Sequence, residues 1–243
     1  MTAPCCLGVA SVRIPSIEAE IYLQRFPIEK LFSISVRDKL IVHKILRGAY
    51  LFREDEARNR LYFIVEGRAK TYVMHRNGVE SLISFLGPGM IMGDMELVGA
   101  QTEMYMVQAV EPCAAIELPI HDFRENVLQD AKFLRILCHE IANKLHKNDM
   151  RFTTMQAFPL KPRLAEFILL AQAGGEFSEQ LIATAQYLGV SYRHLLRVLS
   201  EFCDEGVLKR GRGHYTIQDM KKIKDWMNDI QPYESSEGFL AFL

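Results

Sequence analysis

The chain contains, at residues 185–202, the stretch Ala185-Gln-Tyr-Leu-Gly-Val-Ser-Tyr-Arg-His-Leu-Leu-Arg-Val-Leu-Ser-Glu-Phe202, which has the pattern of two helices joined by a tight turn. A small residue is needed where such helices cross, and a residue that tolerates positive φ is needed in the turn. Ala185 and Gly189 supply these two features. Ser191 follows with a hydroxyl that can accept a hydrogen bond from the free N–H groups of the second helix. This stretch therefore predicts a helix-turn-helix.

The second helix of this motif has one apolar and one polar face. Its predicted buried face consists of Leu195, Leu196, Val198, Leu199 and Phe202. In this motif the first residues of the second helix enter the major groove of DNA, where an arginine can donate two hydrogen bonds to a guanine edge. Arg193 and Arg197 are therefore the candidates for reading bases. The complete set of candidate DNA contacts on this helix is Ser191, Tyr192, Arg193, His194 and Arg197.

The residues after this helix favour DNA binding further. Residues 206–217 predict two short strands joined by a basic tip that contains glycine, which makes the motif a winged helix-turn-helix. Lys209, Arg210 and Arg212 are the candidate phosphate contacts of this wing. The alternative is an ordinary helical hairpin whose arginines are merely solvated, and the basic wing argues against it.

Composition limits the class of protein. The chain has 243 residues, 49% hydrophobic and 24% charged, which is typical of a soluble globular protein with room for two domains. Its net charge of −1 produces no overall basic field, so the basic winged motif is a local feature. Apolar runs fall short of the ~18 residues of a membrane span, and the first residues do not have the pattern of a secretory signal. We therefore expect a cytoplasmic protein that does not associate with membranes.

Residues 45–119 predict an antiparallel β-barrel or β-roll. Short apolar runs alternate there with turn signals that contain glycine, at roughly ten-residue spacing. Asn77-Gly78, between Lys70–His75 and Glu80–Phe85, predicts a hairpin, because both central residues of a type I′ turn need positive φ.

After residue 119 the pattern becomes helical, and one seam repeats every ~3.5 residues, which keeps a narrow stripe toward a partner helix. From Leu134 to Met155 such a helix spans about 33 Å, more than one domain needs for its own closure. Asn148 lies inside the seam, where a buried amide sets the register of a two-stranded pair. The alternative is a helix that packs along its own domain. The predicted dimer seam consists of Leu134, Cys138, Ile141, Leu145, Asn148, Phe152 and Met155.

Prolines then interrupt the helical pattern. Phe158–Pro162 predicts a hinge, because proline lacks an N–H group and disfavours helix before it. A new helix is predicted over Arg163–Ala173, and a last amphipathic helix from about Gln218 to Ile230. The predicted divisions are a sensor-like β-roll over 1–130, a dimerisation helix over 131–157, a winged helix-turn-helix domain over 158–230 and a tail over 231–243.

This order of parts resembles the Crp/Fnr family of bacterial transcription regulators. Leu61–Gly67 and Phe85–Leu97 are similar to the family's cyclic-nucleotide-type pattern, and Val190–Arg197 is similar to its recognition helix. Within that helix, Ser191–Leu196 resembles the YeiL-type branch most. The resemblance implies an α+β fold with an N-terminal cyclic-nucleotide-binding-like β-roll, a long dimerisation helix and a C-terminal winged helix-turn-helix.

The resemblance also implies the position of a ligand pocket. Cyclic-nucleotide members hold the ribose with a Gly-Glu pair and the phosphate with an Arg-Ser or Arg-Thr pair. Here Gly93 and Asp94 match the first pair, whereas Glu103 and Met104 stand in place of the second. A glutamate repels a phosphate and a methionine offers it no donor. We therefore expect that the roll does not bind a cyclic nucleotide.

Fnr-like members suggest another group that could sense a signal, an iron–sulfur cluster held by spaced N-terminal cysteines and one cysteine of the roll. Cys5 and Cys6 are adjacent, and Cys113 lies in the roll, so the usual spacing is missing. The remaining cysteines, Cys138 and Cys203, do not complete a metal-ligand pattern. We predict no metal site and no cofactor, and a cluster remains a disfavoured alternative.

The sequence thus predicts a homodimeric transcription regulator that reads a palindromic DNA site with one recognition helix per half-site. Its expected partners are double-stranded DNA, a second copy of the chain and RNA polymerase. Two alternatives are a redox-responsive regulator that uses a cluster or thiols, and a ligand-gated subunit that binds protein, which the basic face argues against. We predict no enzyme, because a nucleophile elbow, a phosphate-binding loop and a clustered acid–base pair are not recognisable.

Overall fold

The chain divides into two compact units. The structure is a computed structural model that describes residues 11–52, 59–75, 79–100, 105–228, 230 and 238–243. The first unit comprises residues 1–74, 86–144 and 235–243, and the second comprises residues 75–85 and 145–234. Strands dominate the first and helices the second, which confirms the predicted α+β class.

The strands up to residue 119, apart from most of β6, form the predicted β-roll. They are β1 Ser11–Arg13, β2 Ile41–Ile45, β3 Tyr50–Phe52, β4 Arg60–Glu66, β5 Ala69–Met74, β6 Glu80–Leu86, β7 Ile91–Met92, β8 Tyr105–Ala109 and β9 Cys113–Pro119. In the first unit one sheet has the order β1-β2-β9-β4-β7, and a second sheet contains the order β3-β8-β5. Most of β6 belongs to the second unit. The predicted Asn77-Gly78 turn lies between β5 and β6, outside the described residues.

Strand β4 shows why the roll reads as short apolar runs and not as alternating ones. Successive side chains of a strand point to opposite faces of the sheet. Leu61 and Phe63 pack into one core, and Tyr62 and Ile64 pack into another. Because both faces are buried, nearly every residue of the strand is apolar.

The helices of the first unit cover one of these cores. They are α1 Ser16–Arg25, α2 Asp94–Leu97, α3 Arg124–Leu128 and the first half of α4 Ala131–Ala157. Helix α4 has 27 residues, which gives it a length of about 40 Å. Phe133, near its start, is fully buried and stacks on Phe32 with ring centroids 4.3 Å apart. The α1 helix was not predicted from the sequence.

The start of α4 is determined by the buried carboxylate of Asp130. One of its oxygens accepts hydrogen bonds from the N–H groups of Lys132 and Phe133, at 3.0 and 3.1 Å. The other oxygen accepts from the N–H groups of Ser33 and Ile34, at 2.6 and 3.2 Å. A single side chain therefore caps the long helix and attaches the N-terminal segment to it.

The second unit contains the predicted winged helix-turn-helix. Its elements after α4 are α5 Leu160–Ala171, β10 Glu176–Phe177, α6 Leu181–Tyr187, α7 Tyr192–Asp204, β11 Leu208–Arg210, β12 Tyr215–Ile217 and α8 Met220–Met227. The three strands form one sheet in the order β10-β12-β11.

The bounds of two helices differ from the prediction. Helix α5 begins at Leu160, not at Arg163, because Pro162 falls in its first turn, where a missing N–H group costs no hydrogen bond. The predicted hinge over Phe158–Pro162 is therefore reduced to residues 158 and 159, and α5 ends at Ala171, not at Ala173. Helix α8 is shorter than predicted. It begins after Asp219, whose side chain accepts a hydrogen bond from the N–H group of Lys222 at 2.9 Å.

We expect Asp130→Asn to lower the free energy of unfolding near pH 7 by about 1–3 kcal/mol, because the amide nitrogen cannot accept the hydrogen bonds that the second carboxylate oxygen accepts. Burial alone would raise the pKa of Asp130, but the N–H groups of Phe133, Ser33 and Ile34 outweigh burial and lower it. A carboxyl group with a lowered folded-state pKa stabilises the fold above its unfolded-state value of about 3.9, and this stabilisation is lost as the pH falls through the folded-state pKa.

Urea unfolding of the wild type and the Asp130→Asn variant tests this expectation. The difference in free energy between the two proteins should stay constant from pH 7 to about pH 5 and shrink as the pH falls below about 4 toward about 2. A difference that also stays constant below about pH 4 would contradict the assigned role of the carboxylate.

Candidate DNA-binding interface

The turn between α6 and α7 has the geometry that its sequence predicts. Gly189 has a φ of +64°, a conformation that glycine adopts without strain. The N–H group of Val190 donates to the carbonyl of Ala185 at 3.0 Å, and the hydroxyl of Ser191 accepts from the N–H group of His194 at 3.2 Å. These contacts confirm the helix-turn-helix and its N-cap.

Helix α7 buries one face and exposes the other, as predicted. The buried residues are Leu195, Val198, Leu199 and Phe202, whereas Leu196, also predicted to be buried, is half-buried. The predicted DNA contacts Ser191, Tyr192, Arg193 and Arg197 are exposed, and His194 is half-buried. Arg197 forms an ion pair with Glu201 one turn later, at 3.1 Å. Both side chains are largely exposed, so this pair is weak and leaves the guanidinium available to another partner.

The wing presents the second set of predicted DNA contacts. Lys209 and Arg210 lie on β11, Arg212 lies in the tip that follows, and all three are exposed. The N–H group of Gly211 donates to the carbonyl of His214 at 2.8 Å, which closes the tip. A Cβ atom on Gly211 would lie 2.5 Å from the His214 ring, so a larger residue at position 211 would displace that ring.

A buried arginine that sequence reasoning missed holds this motif to the preceding hinge. The Arg163 guanidinium donates to the carbonyls of Phe158 and Pro159 at 3.1 and 3.3 Å, and to the carbonyl of Leu188 at 2.7 Å. Leu188 follows α6, whereas Phe158 and Pro159 precede α5. An arginine inside an otherwise apolar helical pattern was the available signal, but its carbonyl partners lie in other parts of the chain.

The second half of α4 also contacts the helix-turn-helix. The Arg151 guanidinium lies over the Tyr187 ring, 4.7 Å from its centroid, and donates to the carbonyl of Ile83. The sulfur of Met155 lies 3.3 Å from the position that a Cβ atom would take on Gly189. Met155, predicted as a seam residue, therefore packs near the turn of its own chain.

A lysine–glutamate network connects α5, the end of α7 and α8. The carboxylate of Glu205 accepts from Lys161 at 2.6 Å and pairs with Lys222 at 2.9 Å. The Lys161 ammonium also lies 4.1 Å from the ring centroid of Trp226. The Trp226 ring packs against Phe202 of α7, with centroids 4.5 Å apart. The only tryptophan of the chain therefore reports on the packing of the recognition helix.

In the roll, the predicted ligand-pocket residues Gly93 and Asp94 form a packed and paired site. Gly93 has a φ of +84°, and a Cβ atom there would lie 2.2 Å from the carbonyl oxygen of Arg60. Asp94 is only 2% exposed. The Lys144 ammonium on α4 donates to its carboxylate at 2.6 Å and to the carbonyl of Ile91 at 2.7 Å. Sequence reasoning missed Lys144, which is fifty residues away along the chain.

The other predicted pocket residues, Glu103 and Met104, lie outside the described residues, as do Cys5 and Cys6. Among the residues that the structure describes, we find no group of three or more His, Cys, Asp or Glu side chains that could hold a metal ion. Each helix in this part of the chain is too short or too polar to cross a membrane.

Cys113 is a buried thiol. Its sulfur donates to the carbonyls of Arg68 and Glu111, both at 3.1 Å. Burial raises its pKa to about 11, with a smaller contribution from the Glu111 carboxylate. The thiol therefore stays protonated near neutral pH, whereas a metal ligand must be a thiolate. Of the other cysteines, Cys138 is exposed and Cys203 is half-buried.

The burial of the predicted dimer seam changes along α4. Leu134 and Ile141 are half-buried and pack against the core of the first unit. Further along, Leu145 and Phe152 are 61% and 58% exposed, and Asn148 is also exposed. The second half of the helix thus presents large apolar side chains to the surface.

Comparisons with known proteins agree with this architecture. A family model described as a cyclic nucleotide-binding domain matches residues 42–130, and a Crp-like helix-turn-helix model matches residues 162–226. The regulatory protein YeiL of Escherichia coli O157:H7 is 36% identical over 203 residues, which cover 84% of this chain and 92% of YeiL. The chain therefore belongs to the Crp/Fnr family of transcription regulators. Its similarity to YeiL confirms the branch that the recognition helix predicts.

Solved structures share the fold. A Crp/Fnr-family transcriptional regulator from Thermus thermophilus matches with a TM-score of 0.59 and 20% identity, over 78% of this chain and 99% of that one. A regulator of the same family from Eubacterium rectale matches with a TM-score of 0.63 and 19% identity, over 85% of this chain and 97% of that one. At these identities the comparison shows the fold alone.

We expect Arg163→Met to destabilise the helix-turn-helix by about 2–3 kcal/mol, because three carbonyls lose a charged donor. Trp226 fluorescence during urea unfolding measures this loss, since that residue packs on α7. Arg193→Met is a matched control at an exposed position and should change stability by less than about 0.5 kcal/mol. Equal effects of the two substitutions would contradict the role assigned to Arg163.

Proposed function

We propose that this protein is a homodimeric regulator that reads a two-fold-symmetric DNA site without control by a cyclic nucleotide. The observation that carries the proposal is the capped helix α7, whose exposed Tyr192, Arg193 and Arg197 lie in the same motif as a basic wing. In a helix-turn-helix, such a helix enters the major groove.

The exposed residues divide into two roles. Arg193 and Arg197 read bases, because a guanidinium can donate two hydrogen bonds to a guanine edge. Ser191, Tyr192 and His194, around the start of α7, contact bases or phosphates. The wing residues Lys209, Arg210 and Arg212 contact phosphates, which positions the helix and adds salt-dependent affinity.

The seam on α4 supports a symmetric dimer. Leu145 and Phe152 are large apolar side chains that another surface would shield from water, and a second copy of α4 offers the same seam. In such a dimer the two recognition helices would lie about 34–36 Å apart, so the half-sites would be one turn of DNA apart. Asn148 between the two helices would favour a single register.

The site around Asp94 supports a roll that does not use a cyclic nucleotide. A ribose hydroxyl needs an accessible carboxylate, whereas the Asp94 carboxylate is buried and one of its oxygens is paired with Lys144. A cyclic phosphate needs a cation and donors, whereas Glu103 and Met104 offer an anion and a thioether at the matching sequence positions. Lys144 thus supplies from within the chain a contact that a ligand would otherwise make.

One further partner and a location in the cell follow from a role in transcription. A dimer bound beside a promoter would contact RNA polymerase. A regulator of this kind would act in the cytoplasm, where bacterial DNA is found.

Electrophoretic mobility shift assays test the two roles of the arginines. Arg197→Ala should weaken binding to the specific site by about tenfold or more and have little effect on scrambled DNA, since a lost base contact costs about 1–3 kcal/mol. Arg212→Ala should weaken both DNAs alike and reduce the salt dependence of binding. If Arg197→Ala weakened both DNAs equally, its role in base reading would be refuted.

Isothermal titration calorimetry with cyclic AMP tests whether the roll binds a cyclic nucleotide. We expect neither saturable heat nor a change in DNA affinity at millimolar cyclic AMP, because Lys144 already occupies the Asp94 carboxylate. A cyclic-AMP-activated family member, measured in the same buffer, serves as the positive control. Saturable binding to this chain would overturn this part of the proposal.

A further inference from the structure

The segment Gly238–Leu243, here called the tail segment, packs into the first unit although it follows the DNA-binding motif in sequence. Phe239 is fully buried, and its ring meets the Phe63 ring edge to face with centroids 5.3 Å apart. Leu240 and Leu243 are partly buried against the same core. The tail segment therefore docks as an apolar peptide on the β-roll.

Its docking uses a close backbone contact as well as apolar burial. The N–H group of Phe239 donates to the carbonyl of Gly89 at 2.8 Å, and Gly89 in turn donates its N–H to the carbonyl of Ile64 at 3.0 Å. Gly238 has a φ of +58°, and a Cβ atom there would lie 2.0 Å from the Gly89 oxygen. Glycine is required at position 238 for both reasons.

The tail segment contacts two different elements of the first unit. Gly89 begins the short segment that leads through β7 to Asp94, the buried partner of Lys144. On the other side, the Phe242 ring packs edge to face on His139 of α4, with centroids 5.2 Å apart. The tail segment thus contacts both the segment before α2 and the helix α4. Lys144 of α4 bonds to the same segment through the carbonyl of Ile91.

We propose that the tail segment is a detachable peptide ligand of the first unit, and that its docking attaches the DNA-binding motif to that unit at a second point. The motif is already joined to α4 through residues 158–159, and the tail segment follows its last helix α8. The ~10 residues between Met227 and Gly238 can span at most about 35 Å. While the tail segment is docked, the motif has less freedom to reorient, and this favours DNA binding by preorganisation.

The docking itself is tested without DNA. Gly238→Ala should release the tail segment and accelerate hydrogen exchange of the Phe239 amide, whose hydrogen bond to Gly89 is lost, by about tenfold or more. Ala241→Ser, at an exposed position of the same segment, is the matched control and should leave exchange unchanged. Trp226 fluorescence shows separately whether the DNA-binding motif remains folded in each variant.

A peptide of residues 234–243, added to the wild-type chain, provides an independent test. It should compete with the tail segment and accelerate exchange of the Phe239 amide, whereas the same peptide with Gly238→Ala should not compete. Unchanged exchange both in the Gly238→Ala chain and with the wild-type peptide would overturn the proposal.

The coupling to DNA rests on the proposed function and is measured with the full chain. Gly238→Ala should weaken binding to the specific site about fivefold relative to Ala241→Ser, because docking and DNA binding favour each other reciprocally. Equal affinities, or tighter binding by Gly238→Ala, would overturn the coupling. If the wild type also failed to bind any DNA, the proposed function would fail, whereas the exchange results would still decide whether the tail segment docks.

Discussion

The buried carboxylate of Asp94 imposes a constraint on the whole first unit, because a charge in this environment needs a counter-charge. Lys144 provides it, and the same ammonium also donates to the carbonyl of Ile91. Removing one member of such a pair would leave the other buried and uncompensated, which costs several kcal/mol. The pair therefore holds α2 and α4 together.

The second unit is organised around the later turns of the same helix. Arg151 stacks on Tyr187 of α6, and Met155 packs near Gly189 in the turn before α7. Arg163 adds hydrogen bonds from α5 to the hinge carbonyls and to Leu188. The recognition helix itself makes few special interactions on its exposed face, which leaves that face available. Its position is determined by buried groups that do not touch DNA.

The family relationship and the local chemistry agree on the DNA-binding motif. The helix-turn-helix retains the cap, the turn glycine and the exposed arginines that a DNA-binding motif needs. In the roll, two internal contacts join segments that are distant in sequence. Lys144 pairs with Asp94, and the tail segment packs on Phe63 and Gly89. A roll completed by its own chain is consistent with the proposal that a cyclic nucleotide is not its effector.

Sequence alone determined the features whose causes lie within a few neighbouring residues. Gly189 and Ser191 define the turn and the cap, and the helical spacing of apolar residues in α7 defines its buried face. These features could be predicted because φ preferences, capping and periodicity are local properties. The short strands of the roll were predictable for the same reason.

Tertiary structure decided the pairings between distant residues. Asp94 with Lys144, Arg163 with Leu188, and Phe63 with Phe239 could not be inferred, because sequence spacing contains no information on which remote groups meet. The same holds for Pro162, whose place in the first turn of α5 depends on where packing starts that helix. The sequence therefore determined that the chain has a DNA-binding motif and a β-roll, whereas the fold decided which buried charges and apolar side chains hold each of them in place.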